Sequence, residues 1–203
     1  LARVQTATFP SMARAPDESG GATRLVALKA VEAAYPLRGQ LQVADQAGGP
    51  GRTLRQPPAP GTVWVEPGLL DVLGLQPGQE LLLGDARLRI AGLLLQEPDR
   101  GAGFLGFAPR VLMQRADLAA TGLVQPASRI DYRLALAGED AAVRRYRQWL
   151  DARLEQIRLR GVGIESLESG RPEMRQTLDR AEKFLNLVAL LAALLSAEIG
   201  RAH

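Results

Sequence analysis

The 203-residue chain has no cysteine, one histidine at its last position, two lysines and 4% aromatic residues. Without cysteine there is no disulfide framework, no thiolate nucleophile and no cysteine-ligated zinc or iron–sulfur centre. A lone His203 cannot form a Ser-His-Asp triad or supply the paired histidines of a zincin helix. Neither Lys29 nor Lys183 follows the glycine spacing of a phosphate-binding loop. Few aromatics are available to stack on bases. The 25 basic residues are interleaved with 22 acidic ones, as where Arg144, Arg145 and Arg147 lie near Glu139, Asp140 and Asp151. A nucleic-acid binder concentrates its cations into a patch, so no nucleic-acid partner is expected. Much of ordinary catalysis falls away with these absences.

What is present is an ordinary globular composition, 46% hydrophobic and 23% charged. Its length suits one domain or two small ones. The chain begins at Leu1 rather than Met, which leads us to expect a piece of a longer protein. Residues 184–197 (FLNLVALLAALLSA) are apolar at 12 of 14 positions and uncharged. A membrane span needs ~20 such residues. The segment reads either as a buried core helix or as the start of a span that is cut short, with residues 198–203 then a non-native tail.

Alternation predicts a short strand over residues 3–9, a loop over 10–22 and a strand over 23–31. Residues 45–61 hold four glycines and four prolines and read as an irregular excursion. A strand over 62–65 comes after it. Pro67 then opens a short helix at its favoured first position, and Gly74 closes it. Residues 80–83 and 86–95, joined by Gly84-Asp85, read as a hairpin. A strand over 129–136 should bury Ile130, Tyr132, Leu134 and Leu136 on one face. An amphipathic helix over 139–160 carries Val143, Tyr146, Leu150, Leu154 and Ile157 at helical spacing, with acids first and arginines last. A strand over 162–167 comes next. From Pro172 a helix with the stripe Met174, Leu178, Ala181 and Leu185 runs into the apolar segment and reads as a stalk.

Candidate chemistry is sparse. Gly101, Gly103 and Gly106 spell G-x-G-x-x-G, but residues 97–100 separate them from the preceding strand. The stretch around residues 109–115 reads as a helix too short to meet a pyrophosphate. The match is treated as chance, and no cofactor or metal is expected. Phe104, Leu105 and Phe107 in the same glycine-rich region either fold onto the core or form a contact loop for a hydrophobic cargo or partner. Glu165 and Glu168 lack any neighbouring base or ligand set. Ser11, Ser128 and Ser169 lack a nucleophile elbow, and no spacing supports a Ser–Lys dyad with Lys29 or Lys183.

Residues 25–39, LVALKAVEAAYPLRG, resemble the V-K-A-V-x-x-x-Y-P-x-x-G stretch of YbbP-type ABC transporter permeases, within the wider FtsX/MacB group. The resemblance continues in order through residues 63–78, 84–98, 108–113 and 116–129, and ends at 180–195, where the family enters a transmembrane helix. It implies an α+β, MacB-like first periplasmic domain. Residues 1–15 and 115–183 would form a discontinuous porter-like α/β part, with residues 16–114 inserted as a small β-rich, Sabre-like part. Residues 184–197 would then begin a transmembrane helix. The resemblance further implies a bacterial inner-membrane protein with this domain in the periplasm, partnered by a separate ATP-binding cassette ATPase subunit. A second similar periplasmic domain, in the same chain or in a homodimer, would pair with it. A periplasmic lysophospholipase/thioesterase is a further implied partner, hinting at lipid-like cargo. No catalytic residues carry over from the family. The 45–61 excursion and the charged end at 198–203 depart from its pattern. The readings that compete with a permease domain are a stand-alone periplasmic lipid-binding module and a hydrolase.

Overall fold

Strand periodicity dominates the first two thirds of the chain, and the strands close on one another. A computed structural model describes residues 1–100, 107–126, 128–157 and 161–165. The chain divides into compact units Leu1–Trp149 and Leu150–His203, and the sheet belongs to the first. Its strands are β1 (Ala2–Arg14), β2 (Thr23–Val31), β3 (Leu41–Ala44), β4 (Arg52–Leu54), β5 (Thr62–Val65), β6 (Glu80–Leu83), β7 (Ala86–Gln96), β8 (Arg110–Gln114) and β9 (Asp131–Ala137). Helix α1 spans Pro67–Leu73 and α2 spans Asp140–Ile157. The mixed sheet and few helices bear out the expected α+β class.

Six strands form a ring in the order β7, β5, β8, β2, β1, β6 and back to β7. β2 with β8 and β5 with β7 are parallel; the other four junctions are antiparallel. Closure removes open edges from these strands. Because side chains alternate, β2, β5 and β8 each feed two cores. Val26, Leu28 and Ala30 of β2 join Val111 and Met113 of β8 in the interior cluster, to which α1 adds Leu69, Leu70 and Leu73. The opposite face carries Val31, Leu112 and Trp64, packed with Tyr35 and with Leu41 and Val43 of β3. A buried Leu or Val contributes ~1.5–3 kcal/mol relative to exposure, so both faces of β2 and β8 stabilise the ring.

Several expectations hold. Strands β2 and β5 and the β6–β7 hairpin lie where the pattern puts them, and Gly74 ends α1 at φ 65°. Others need correction. The first strand runs on through Pro10 to Arg14 rather than ending at residue 9. Pro10 is tolerated because the Ala27 N–H opposite it donates to Pro109 and not to β1. The pair Pro10–Ala27 is therefore non-hydrogen-bonded, and the missing N–H faces the gap between β9, which stops at Thr8, and β6, which starts at Ala13. Strand β3 carried no sequence signal, and β4 pairs with it from inside the supposed irregular excursion. The stretch read as a short helix around 109–115 is strand β8, buried throughout. On β9, Tyr132 and Leu134 are exposed rather than half-buried. Residues 162–165 form no strand. The apolar stripe of α2 is half-buried at Val143, Tyr146, Leu150 and Leu154, but Ile157 is exposed.

Candidate functional site

Strand β2 places one lysine where periodicity would put an apolar side chain. Leu28 and Ala30 enter the interior core, so Lys29 points to the outer face and is 3% exposed. A buried ammonium requires partners, and Lys29 has three. Its Nζ donates to Tyr35 Oη at 3.0 Å, Glu97 Oε2 at 3.2 Å and Asp99 Oδ1 at 2.7 Å. The same Nζ lies 4.7 Å from the Tyr35 ring centroid, and the Tyr35 hydroxyl donates to Asp99. On neighbouring β8, Arg110 Nε donates to Glu97 Oε1 at 2.7 Å. Glu97 thus bridges two buried cations, and the four charges balance.

The chain bends to deliver these groups. β7 ends at Gln96, and Glu97-Pro98-Asp99 then crosses the outer face of β2 and β8. The Tyr35–Pro36 peptide is cis, and Gly39 stands against Pro98 at φ 79°, where a Cβ would come within 2.6 Å of the proline ring. Lys29, Tyr35 and Gly39 of the 25–39 stretch therefore all meet the 97–99 segment.

The electrostatics follow from burial. Burial and the negative charge of Asp99 push the Tyr35 phenol far above its ordinary value. Burial pushes Asp99 upward, but Lys29 and the Tyr35 hydroxyl outweigh it and hold the carboxyl below its usual value. Asp99 is the member that meets solvent, with a half-exposed side chain. Arg110 Nη1 is buried without a hydrogen-bond partner among the described residues. The three donors of Lys29 are all engaged, and no serine is among its partners, which removes the Ser–Lys option at Lys29. Among the described residues no group of three or more acidic or histidine side chains could hold a metal ion. The cluster joins β2, Tyr35, the 97–99 segment and β8 to one another.

Among the residues that the sequence marks for contact with cargo, Phe107 is 90% exposed. Its aromatic ring faces water instead of folding onto the core. Phe104 and Leu105 lie outside the described residues, as do the stalk positions Met174, Leu178, Ala181 and Leu185 and the apolar segment 184–197. Among the described residues no helix is long and apolar enough to cross a membrane. The cluster itself escaped sequence reading, although one signal was available: one of only two lysines sits inside the apolar run LVALKAV.

No protein-family model matches the chain. The chain is, however, 36% identical over 189 residues to the Escherichia coli (strain K12) protein named uncharacterized ABC transporter permease YbbP. The alignment takes in 93% of this chain. The resemblance read from the sequence is real. The chain spans 22% of the length of YbbP and so matches one domain of it.

Proposed function

We propose that this chain is the periplasmic domain of an ABC transporter permease subunit, and that it couples ATP hydrolysis in a cytoplasmic partner to the handling of a hydrophobic, lipid-like cargo. The observation that carries this reading is the 36% identity to YbbP over nearly the whole chain. In this account the domain is MacB-like, of the wider FtsX group, and catalyses nothing itself. Residues 1–15 and 115–183 make its porter-like part, and residues 16–114 its Sabre-like part. The helix bearing Met174, Leu178, Ala181 and Leu185 acts as a stalk into a transmembrane helix that begins at residue 184, so that motion passes through a rigid element. Phe107, with Phe104 and Leu105, contacts cargo or partner. The partners are an ATP-binding cassette ATPase, a second similar periplasmic domain, the inner membrane, and a periplasmic lysophospholipase/thioesterase.

Exposure of Phe107 and the lack of cysteine provide a test of placement. Phe107→Cys is introduced into the full-length parent with any cysteines elsewhere replaced, and cells with a permeabilised outer membrane receive a membrane-impermeant maleimide. Labelling before the inner membrane is broken supports a periplasmic domain. Labelling only after lysis overturns it.

A further inference from the structure

Two arginines reach one concavity without meeting an acid. Arg38 stands in the turn between Tyr35 and β3, and Arg55 directly follows β4. Antiparallel pairing sets Leu41 opposite Leu54, so both arginines lie at the same end of the β3–β4 hairpin. With Gln40, Gln42, Gln96 and Pro98 they line a concavity of ≈ 630 Å³, and no acidic residue lines it.

The carboxylates nearest in sequence are engaged elsewhere. Asp45 pairs with Arg52 at 3.0 Å. Glu97 and Asp99, on either side of Pro98, bond to Lys29, Tyr35 and Arg110. Arg14, Arg87, Arg100 and Arg115 each meet a carboxylate as well. Among the described residues neither Arg38 nor Arg55 has an ion-pair or hydrogen-bond partner for its side chain, and the side-chain amides of Gln40 and Gln96 have none either. Gln42 lies in register with Gln96 on β7 and with Thr53 on β4, and its Nε2 donates to Thr53 Oγ1 at 2.9 Å. A polar row thus crosses three strands beside the two guanidinium groups.

A guanidinium presents a planar fork of donors that matches an oxyanion through two parallel hydrogen bonds. Two forks, with amide donors beside them and no acid to compete, suit a multiply charged tetrahedral oxyanion. The backbone is set in advance. Tyr35 is tied into the buried cluster, Gly39 rests on Pro98, and β4 is paired with β3. Binding then has mainly side chains to order.

We propose that Arg38 and Arg55 bind a phosphate group in this concavity, with Gln40 and Gln96 donating to its remaining oxygens. A free phosphate and the phosphate of a lipid headgroup offer the same chemistry, and the test separates them. The site does not rest on the permease reading.

The 203-residue chain, labelled with nitrogen-15, is titrated with inorganic phosphate and with glycerol 3-phosphate. Flotation with phosphatidylcholine vesicles, with and without phosphatidic acid, gives the lipid arm. Amide shifts should move saturably at residues 38–42, 54–55 and 96. Arg38→Gln and Arg55→Gln should each weaken binding about tenfold or more, because each removes a charged donor. Arg24→Gln makes the same charge change at an exposed position of β2 outside the concavity. It should leave affinity within about twofold, since a distant exposed charge is screened. Dependence on both arginines with the soluble phosphates supports the site and assigns it a free phosphate. The same dependence seen only in the increment due to phosphatidic acid supports it and assigns a headgroup. No saturable binding to any probe overturns the proposal. Equal weakening by Arg24→Gln overturns it too, because net charge alone would then account for binding. Should a glutamine variant lose its far-ultraviolet dichroism, the amide shifts of the unchanged chain decide, and saturable shifts confined to other residues contradict the proposal.

Discussion

Glu97→Gln removes the carboxylate that two buried cations share and leaves its amide in nearly the same space. The side chains of Lys29, Glu97 and Arg110 are 4%, 2% and 4% exposed, so water does not replace what is lost. Before the change two cations face two carboxylates; afterwards Lys29 keeps Asp99 and Tyr35, while Arg110 is left with no carboxylate partner. Removing one partner of a buried ion pair costs about 3–5 kcal/mol, because the remaining charge stays desolvated. For a domain of this size each kcal/mol moves the melting midpoint by roughly 2–4 °C, so a fall of roughly 6–20 °C is expected. Asp99→Asn is the internal comparison. Its half-exposed carboxylate belongs to the class of ion pairs worth ~1 kcal/mol or less. Urea titration followed by tryptophan fluorescence reads both, since Trp64 sits in the outer core. A cost for Glu97→Gln no larger than for Asp99→Asn would refute the reasoning, because the pair would then be hydrated in solution.

The remaining predictions use other parts of the molecule. A Cβ on Gly84, at φ 56°, would meet the Thr121 carbonyl oxygen at 2.0 Å, whereas one on Gly78, at φ 94°, meets nothing within 4 Å. Gly84→Ala should therefore cost several kcal/mol and Gly78→Ala only the ~1–2 kcal/mol of the left-handed backbone, measured by chemical denaturation. Tyr35 holds its proton more tightly folded than unfolded, so its contribution is complete below about pH 10 and falls as pH rises beyond it. Tyr35→Phe should flatten that alkaline loss in a pH series of melting midpoints. Asp99 behaves oppositely: its folded value is depressed, so its contribution is present above the ordinary aspartate value and is lost as pH falls through the folded one. Asp99→Asn should remove that part of the acid sensitivity. Phe107→Asp, at a 90% exposed site, should change stability by no more than ~0.5 kcal/mol; a large loss would mean that the ring is packed.

Elements with turn chemistry at their ends were readable. Pro67 and Gly74 bracket α1, and Gly84-Asp85 sets the β6–β7 register, because these residues act through their own backbone. Where a strand is buried on both faces, alternation vanishes. RVLMQ of β8 is buried at all five positions and looked like the start of a helix after Pro109. Pro10 looked like a strand end because the local sequence does not reveal which edge its missing N–H faces. Conversely, Tyr132 and Leu134 alternate on β9, yet they are exposed. The charged cluster was hidden for a different reason. Its members are spread from Lys29 to Arg110, and each taken alone reads as one more surface charge. Lys29 within LVALKAV and the acidic residues directly after the apolar β7 were the visible traces. Resemblance to a permease, by contrast, was legible from ordered short stretches, and the match to YbbP supports it.

The central claim, that this domain serves an ABC permease, is tested most directly by purifying the full-length parent protein from detergent-solubilised membranes and identifying what accompanies it by mass spectrometry. The account predicts an ATP-binding cassette subunit in stoichiometric amount. A parent protein recovered from the soluble fraction, with no ATPase bound, would contradict it.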